Sequence, residues 1–185
     1  MSKIILGLVG PIASGKGTVK KYIEEKYNSK DCRFSTALRD VLNRISVPVN
    51  RENMQQVSTV LRQTFGEDLL AKIIVEDAKN LESDIIIIDG VRRKVDIKYL
   101  EEMDNFFLVA INAEAKIRYE RMIARNENLG DQDKSYEQFL ADHEAEADKE
   151  VPVVMKEADF TIDNSGDIAL LHSQIEEIIS KILKK

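Results

Sequence analysis

Gly10-Pro11-Ile12-Ala13-Ser14-Gly15-Lys16-Gly17-Thr18 follows directly on the apolar run Ile4-Ile5-Leu6-Gly7-Leu8-Val9, and the reading of this junction decides the fold. A buried strand that turns through a glycine-bearing loop into a helix makes successive backbone N–H groups and the positive helix terminus converge on one anion. Gly10 and Gly15 let the backbone approach a phosphate, and Lys16 reaches the β- and γ-oxygens as a mobile point charge. The pattern G-x-x-x-x-G-K-[ST] is met up to its last position, where Gly17 stands in place of the metal-binding hydroxyl and Thr18 follows. Either Thr18 takes over that role, or the metal is held by phosphates, waters and a carboxylate elsewhere. The bland alternative is an ordinary glycine-rich turn between strand and helix.

Working outward, the rest of the chain repeats the strand-helix alternation. Residues 3–9 form a strand apolar enough to be buried on both faces, as in a parallel sheet. Residues 17–27 form a helix and residues 30–34 a weaker strand. Ser35 and Thr36 then read as the cap of a helix that Val47-Pro48-Val49-Asn50 ends. Met54, Val57, Leu61 and Phe65 recur at helical spacing up to Gly66, a C-cap candidate, and a further helical register begins at Leu69. Residues 84–89 are the clearest strand after the first, closing on Asp89 and Gly90. Helices are expected over 95–103, 114–127 and 135–150, strands over 106–111 and 158–162, and an exposed, mobile loop over 126–134. A last helix carries Ile168, Leu171, Ile175, Ile178 and Ile182 on one stripe. The expectation is an α/β fold, a three-layer sandwich with a five-stranded parallel sheet, helices on both faces, and ligands at the strand C-terminal ends.

Length and composition fit one domain. The chain has 185 residues, 43% hydrophobic and 32% charged, with a formal net charge of -6. An acidic chain has no basic surplus to displace counterions along a nucleic acid, so no nucleic-acid partner is expected. The N-terminal apolar run is too short to span a bilayer and lacks the processing pattern of a signal peptide. The single cysteine, Cys32, excludes an internal disulfide and a cysteine-based zinc site, and suits a reducing cytoplasm. Its sulfur reads as packing rather than nucleophile. His143 and His172 have no Ser, Cys or metal-spaced partner and read as surface residues.

Several side chains could carry chemistry. Asp89 ends a buried strand, where an α/β site places a carboxylate beside the phosphate loop; orienting hydrated magnesium is the functional reading and a turn or cap the bland one. Arg118, Arg121 and Arg125 stand at i, i+3 and i+7 on one helical face, with Tyr119, Met122 and Ile123 on another. Arginines before a mobile loop suit a lid over a triphosphate, for Arg121 and Arg125 above all, against an exposed face paired with glutamates. Arg39, Arg62 and Arg92 could bind an acceptor's phosphate. The alternating acids from Asp142 to Glu150 read as a solvated surface.

The loop G-P-I-A-S-G-K-G-T, the segment S-T-A-L-R from Ser35 to Arg39, the pair D-G before Arg92 and Arg93, and R-x-x-x-R at Arg121 and Arg125 together resemble P-loop nucleoside monophosphate kinases, adenylate kinase among them. The resemblance implies an ATP-dependent kinase in which Gly10, Ala13, Ser14, Gly15, Lys16, Gly17 and Thr18 hold ATP. It implies that magnesium is bound largely through water, with Thr18 and Asp89 as its protein groups. It implies that Arg39 and either Arg92 or Arg93 bind the acceptor, with Ser35 and Arg62 as further candidates beside them, and that Arg121 and Arg125 work from a lid. Residues 158–166, A-D-F-T-I-D-N-S-G, are similar to dephospho-CoA kinases and deoxynucleotide kinases, where this turn lies against the adenine, which implicates Asn164 and Gly166. Within one kinase domain, 1–185, the acceptor segment falls at about 35–82 and the lid at about 118–150. Adenylate kinases have Gly-Asp where Ser35-Thr36 stands, so the acceptor stays open: a nucleoside or deoxynucleoside monophosphate, or dephospho-CoA. A nucleotide-switched ATPase binding module is the alternative from another class. Nothing marks a subunit interface.

Overall fold

Ile4–Val9 (β1) is buried at every one of its six positions, which requires a neighbour on both edges and a layer on both faces. The computed structural model of the chain describes residues 3–125, 131–142 and 149–184. In it β1 lies between Ile85–Val91 (β3) and Phe106–Asn112 (β4), with Ser29–Arg33 (β2) beyond β3 and Phe160–Asp163 (β5) beyond β4. All pairings are parallel, in the order β2-β3-β1-β4-β5.

Side chains alternate across the sheet, and two cores result. Ile4, Leu6 and Leu8 join Ile85 and Ile87 against Lys16–Lys26 (α1) and Ile168–Ile182 (α9). Ile5 and Val9 join Ile86 and Ile88 against Leu69–Asn80 (α4), the short Lys94–Ile97 (α5) and Val151–Met155 (α8). Phe34–Arg44 (α2), Arg51–Phe65 (α3) and α4 pack on one another beside β2 and β3. Ala115–Arg125 (α6) follows β4 and meets a single 3-10 turn, Asp131–Asp133, and Tyr136–Asp142 (α7). Among the described residues no helix is long and apolar enough to cross a membrane.

Four local expectations need correction. β2 pairs with β3 as far as Arg33↔Asp89, so α2 begins at Phe34 with extended Arg33 as its N-cap; Ser35 and Thr36 fall inside the first turn and do not cap it. β3 runs past Asp89 to Val91, because the register slips between Leu8↔Asp89 and Val9↔Val91 and Gly90, at φ 97, takes the extra residue as a bulge. The helix expected over 95–103 closes after Ile97 and continues as turns, since the chain must turn back for Asn105 to accept the N–H of Ile5 at the start of β4. The helix expected over 135–150 is α7 alone, and the separate α8 was not foreseen; 143–148, with His143 and most of the acidic series, lie outside the described residues. Residues 126–130 of the expected loop do so too.

Gly66 does end α3, at φ 106 with its N–H on the Arg62 carbonyl, and Asn50 caps the start through the N–H of Asn53. His172 is more than a surface residue: its ring stacks on Tyr22 at 3.9 Å, clamping α9 to α1. Cys32 is buried, and burial above all, then the charges of Asp77 and Asp31, push its thiol up to about 12, which leaves it a packing group.

Candidate active site

The phosphate loop runs from the end of β1 into α1. Ala13 at φ 57 and Gly15 at φ 103 are both left-handed, flanking Ser14, and such alternation turns neighbouring N–H groups toward one concavity. Ala13 bears this as a non-glycine residue, strain of a kind found at functional loops. Sequence gave no sign of it. Close contacts fix the rest. A Cβ on Gly10 would lie 2.2 Å from the Ile111 carbonyl oxygen, and one on Gly15 would lie 2.0 Å from Asn164 Nδ2. A Cβ on Gly17 would meet nothing within 4 Å. Lys16 Nζ donates to the carbonyls of Gly10 at 2.6 Å and Pro11 at 3.0 Å, which draws the ammonium over the mouth of the loop. Ser14 is fully buried, and its Oγ has no hydrogen-bond partner.

Asn164, just past β5, fastens this loop to the far side of the sheet. Its Nδ2 donates to the Ser14 carbonyl at 2.8 Å, its N–H to the Asn112 carbonyl at 2.7 Å, and its own carbonyl accepts Arg121 Nη2 at 2.9 Å. Arg121 Nη1 is buried and has no hydrogen-bond partner. An unmet guanidinium N–H beside a phosphate loop is a position for an anion. Arg125 lies at the exposed end of α6. Gly166 is in the same turn, close under Leu170.

Arg118 does not share an exposed face with Arg121 and Arg125. It is 8% exposed and, with Met122, forms the buried side of α6. Its Nε donates to the Ala113 carbonyl at 3.0 Å, its Nη1 lies 3.4 Å from the Ile12 carbonyl of the phosphate loop, and Phe139 of α7 stacks against it at 5.4 Å. Burial pulls its pKa below the ordinary guanidinium value without discharging it.

Asp89 reaches the site at the C-terminal end of β3, beside the end of β1. Its Oδ2 lies 3.5 Å from Arg33 Nε, which also donates to Asp31 at 2.6 Å; Asp31 in turn accepts Lys20 at 3.0 Å. Burial would raise Asp31, but the Lys20 bond and charge and then Arg33 hold it below its usual value. Thr18 is exposed, and the described residues contain no group of three or more His, Cys, Asp or Glu able to cage a metal. The cradle therefore fits a triphosphate tail, and fits magnesium only as a hydrated ion carried by the phosphates, with Asp89 or the Thr18 hydroxyl nearby.

The arginines expected at the acceptor divide. Arg62 and Arg93 converge on Asp96, which is 4% exposed: Arg93 Nη2 lies 3.5 Å and Arg62 Nη2 3.9 Å from its Oδ1, while its Oδ2 accepts the N–H groups of Arg92 and Arg93 at 3.1 and 3.0 Å. Burial raises the Asp96 carboxyl, opposed by Arg93 and those N–H bonds. The side chains of Arg39, on α2, and Arg92 are exposed, and Ser35 is half-buried in the first turn of α2. Asp96 was missed in the sequence; a single Asp after three basic residues carries no pattern.

Comparison with known proteins bears on the family and the fold. Residues 9–140 match the AAA_17 family, described as AAA domain. The chain belongs to that AAA domain family. Relatives span it end to end: the UPF0200 protein of Pyrococcus horikoshii is 27% identical, covering 97% of this chain and 98% of its own, and that of Methanococcus maripaludis is 25% identical, covering 97% of each. Among solved structures, shikimate kinase from Bacteroides thetaiotaomicron superimposes with a TM-score of 0.61 at 14% identity, covering 98% of this chain and 99% of that one. TT1252 from Thermus thermophilus gives 0.58 at 17%, covering 98% of each. The AAA domain chain thus has a P-loop kinase-like fold, the α/β sandwich expected from its sequence.

Proposed function

We propose that the protein transfers the γ-phosphoryl group of ATP to the phosphate of a nucleoside or deoxynucleoside monophosphate. The observation that carries this reading is Arg121, joined through Nη2 to the residue that fastens the phosphate loop while its buried Nη1 lacks a partner. In such a transfer an acceptor phosphate oxygen attacks the γ-phosphorus in line as the bond to the β–γ bridging oxygen breaks and ADP leaves. The attacking oxygen is already anionic, so alignment and charge neutralisation suffice and no general base is needed.

Lys16 and the loop amides from Ala13 to Thr18 hold the donor, in a loop whose shape Gly10 and Gly15 permit by packing against Ile111 and Asn164. Asn164 and Gly166 lie toward its base. Arg121 and Arg125 neutralise charge as the 118–150 segment closes and excludes water, which would otherwise accept the phosphoryl group. Ser35, Arg39, Arg62 and Arg92 or Arg93, within and beside the 35–82 segment, orient the acceptor. Bound magnesium, held by the phosphates and by Asp89 or Thr18, adds further charge neutralisation. The single cysteine, Cys32, suits a reducing compartment such as the cytoplasm.

The test is a coupled ATP-consumption assay over ribonucleotides, deoxyribonucleotides and dephospho-CoA. A monophosphate that raises consumption well above the acceptor-free rate is the expected outcome; stimulation by dephospho-CoA alone would move the acceptor to a ribose hydroxyl. The second reading, kept open by the match to an AAA domain family, is a nucleotide-switched ATPase binding module. Turnover indifferent to every small acceptor but raised by protein or RNA would establish it.

A further inference from the structure

We propose that the Glu67 carboxylate is an internal competitor, occupying on Arg62 and Arg93 the place that the acceptor's phosphate takes when it binds, and that the buried carboxylate of Asp96 positions that pair of arginines. The inference rests on the kinase reading above and adds to it a positioning residue and an internal competitor.

Charge arithmetic motivates it. Arg62 comes from α3 and Arg93 from the turn after β3, and two guanidinium groups brought this close repel. Asp96 offsets one charge only. Its Oδ2 is committed to the Arg92 and Arg93 N–H groups, and its Oδ1 faces both guanidinium groups without a hydrogen-bond partner, as does Arg93 Nη2. One positive charge is left over. In this structure Glu67 meets it: Glu67 Oε2 accepts Arg93 Nη1 at 3.3 Å, and the Glu67 carbonyl accepts Arg62 Nη1 at 3.2 Å.

Exposure then separates the two carboxylates. The Asp96 side chain is 5% exposed and tied to backbone, whereas that of Glu67 is 65% exposed, over arginines at 14% for Arg62 and 24% for Arg93. Glu67 follows Gly66, whose φ of 106 makes the turn between α3 and α4. An exposed monodentate ion pair is a weak competitor. A phosphomonoester offers three oxygens and nearly twice the charge to the same pair of forks. Asp96 therefore positions, and Glu67 occupies.

The experiment titrates inorganic phosphate into the full chain, by calorimetry, with the donor site saturated by a non-hydrolysable ATP analogue and magnesium. Glu67→Gln is expected to bind phosphate about two- to fivefold tighter at an unchanged melting temperature. Arg93→Gln is expected to lose tenfold or more. Asp96→Asn adds a net positive charge and on charge alone would tighten phosphate; released positioning is expected to weaken it about tenfold instead. Unchanged or weaker binding in Glu67→Gln, native affinity in Arg93→Gln, or tighter binding in Asp96→Asn would each overturn the proposal. Should the analogue itself not bind, the kinase reading fails, while the ranking of the variants measured without it still decides the seat.

Discussion

The two ends of the site are built differently. At the donor end, the loop leaves β1, a strand buried throughout, and is pinned so closely, Gly10 by the Ile111 carbonyl and Gly15 by the Asn164 side chain, that neither glycine has room for a methyl group. At the proposed acceptor end, α3 runs for 15 residues without one buried side chain, and Val60 and Phe65 are 59% and 64% exposed. Fixed geometry suits the donor, whose tail must meet the same amides in every cycle. A lightly packed helix belongs to the low-stability part of a fold, where closure and adaptation to a substrate take place. On the function proposed above, specificity for the acceptor is set in this lightly packed part of the molecule and around one buried anchor, Asp96.

The largest expected effect breaks the donor end chemically. Lys16→Ala or Arg121→Ala should lower turnover by roughly a thousandfold or more, the scale of a charge-neutralising group in phosphoryl transfer, with the unfolding midpoint little changed. Near-normal turnover in a well-folded variant would remove that residue from the mechanism. Next comes the mechanical contrast, read by denaturant unfolding. Ile88→Ala, at a fully buried position, should cost about 2–5 kcal/mol, while Phe65→Ala on α3 should cost no more than about 0.5 kcal/mol. Equal costs would erase the distinction between the two ends.

Cys32 sharpens the boundary between them, on the edge strand β2. With an ordinary thiol value of 9.0 and a folded one of about 12, the unfolded thiol ionises first, so stability is intact below pH 9 and falls as pH rises toward 12. The loss should reach a few kcal/mol at most, about 1.4 per pH unit, and Cys32→Ala should be spared it in unfolding measured across that range. The smallest effects compare two glycines of the loop. Gly15→Ala should cost about 1–3 kcal/mol, since it forces a side chain into φ 103 against Asn164. Gly17→Ala, in open space on α1, should stabilise by up to about 1 kcal/mol, yet weaken nucleotide binding where phosphates approach. Unweakened binding in a folded Gly17→Ala would show that the missing Cβ serves no ligand.

What could be read in the sequence was local. The run from Ile85 to Ile88 and the flanked glycine-lysine loop each fix their own element, and the stripe of α9 does the same, so sheet and layers were legible. The helix after β3 was not, because its length is set by the return of the chain to pair beside β1. Ser35 and Thr36 looked like caps until the pairing of β2 with β3 moved the helix start ahead of them. Arg118 lies at the border of two stripes, i and i+3 with Arg121, i and i+4 with Met122, and only the presence of Phe139 decides that its stem and guanidinium go inside. Asp96, Arg62 and Arg93 meet through tertiary folding alone, so the sequence could nominate the arginines but not the carboxylate that joins them.

The most direct measurement follows the label from γ-phosphate-labelled ATP in the native protein and in Lys16→Ala, with a mixture of nucleoside and deoxynucleoside monophosphates present. The expected result is label in an organic phosphate product, made by the native protein and lost with the lysine. Label that ends only in inorganic phosphate, or that stays in ATP whatever acceptor is supplied, would contradict phosphoryl transfer between the two ends.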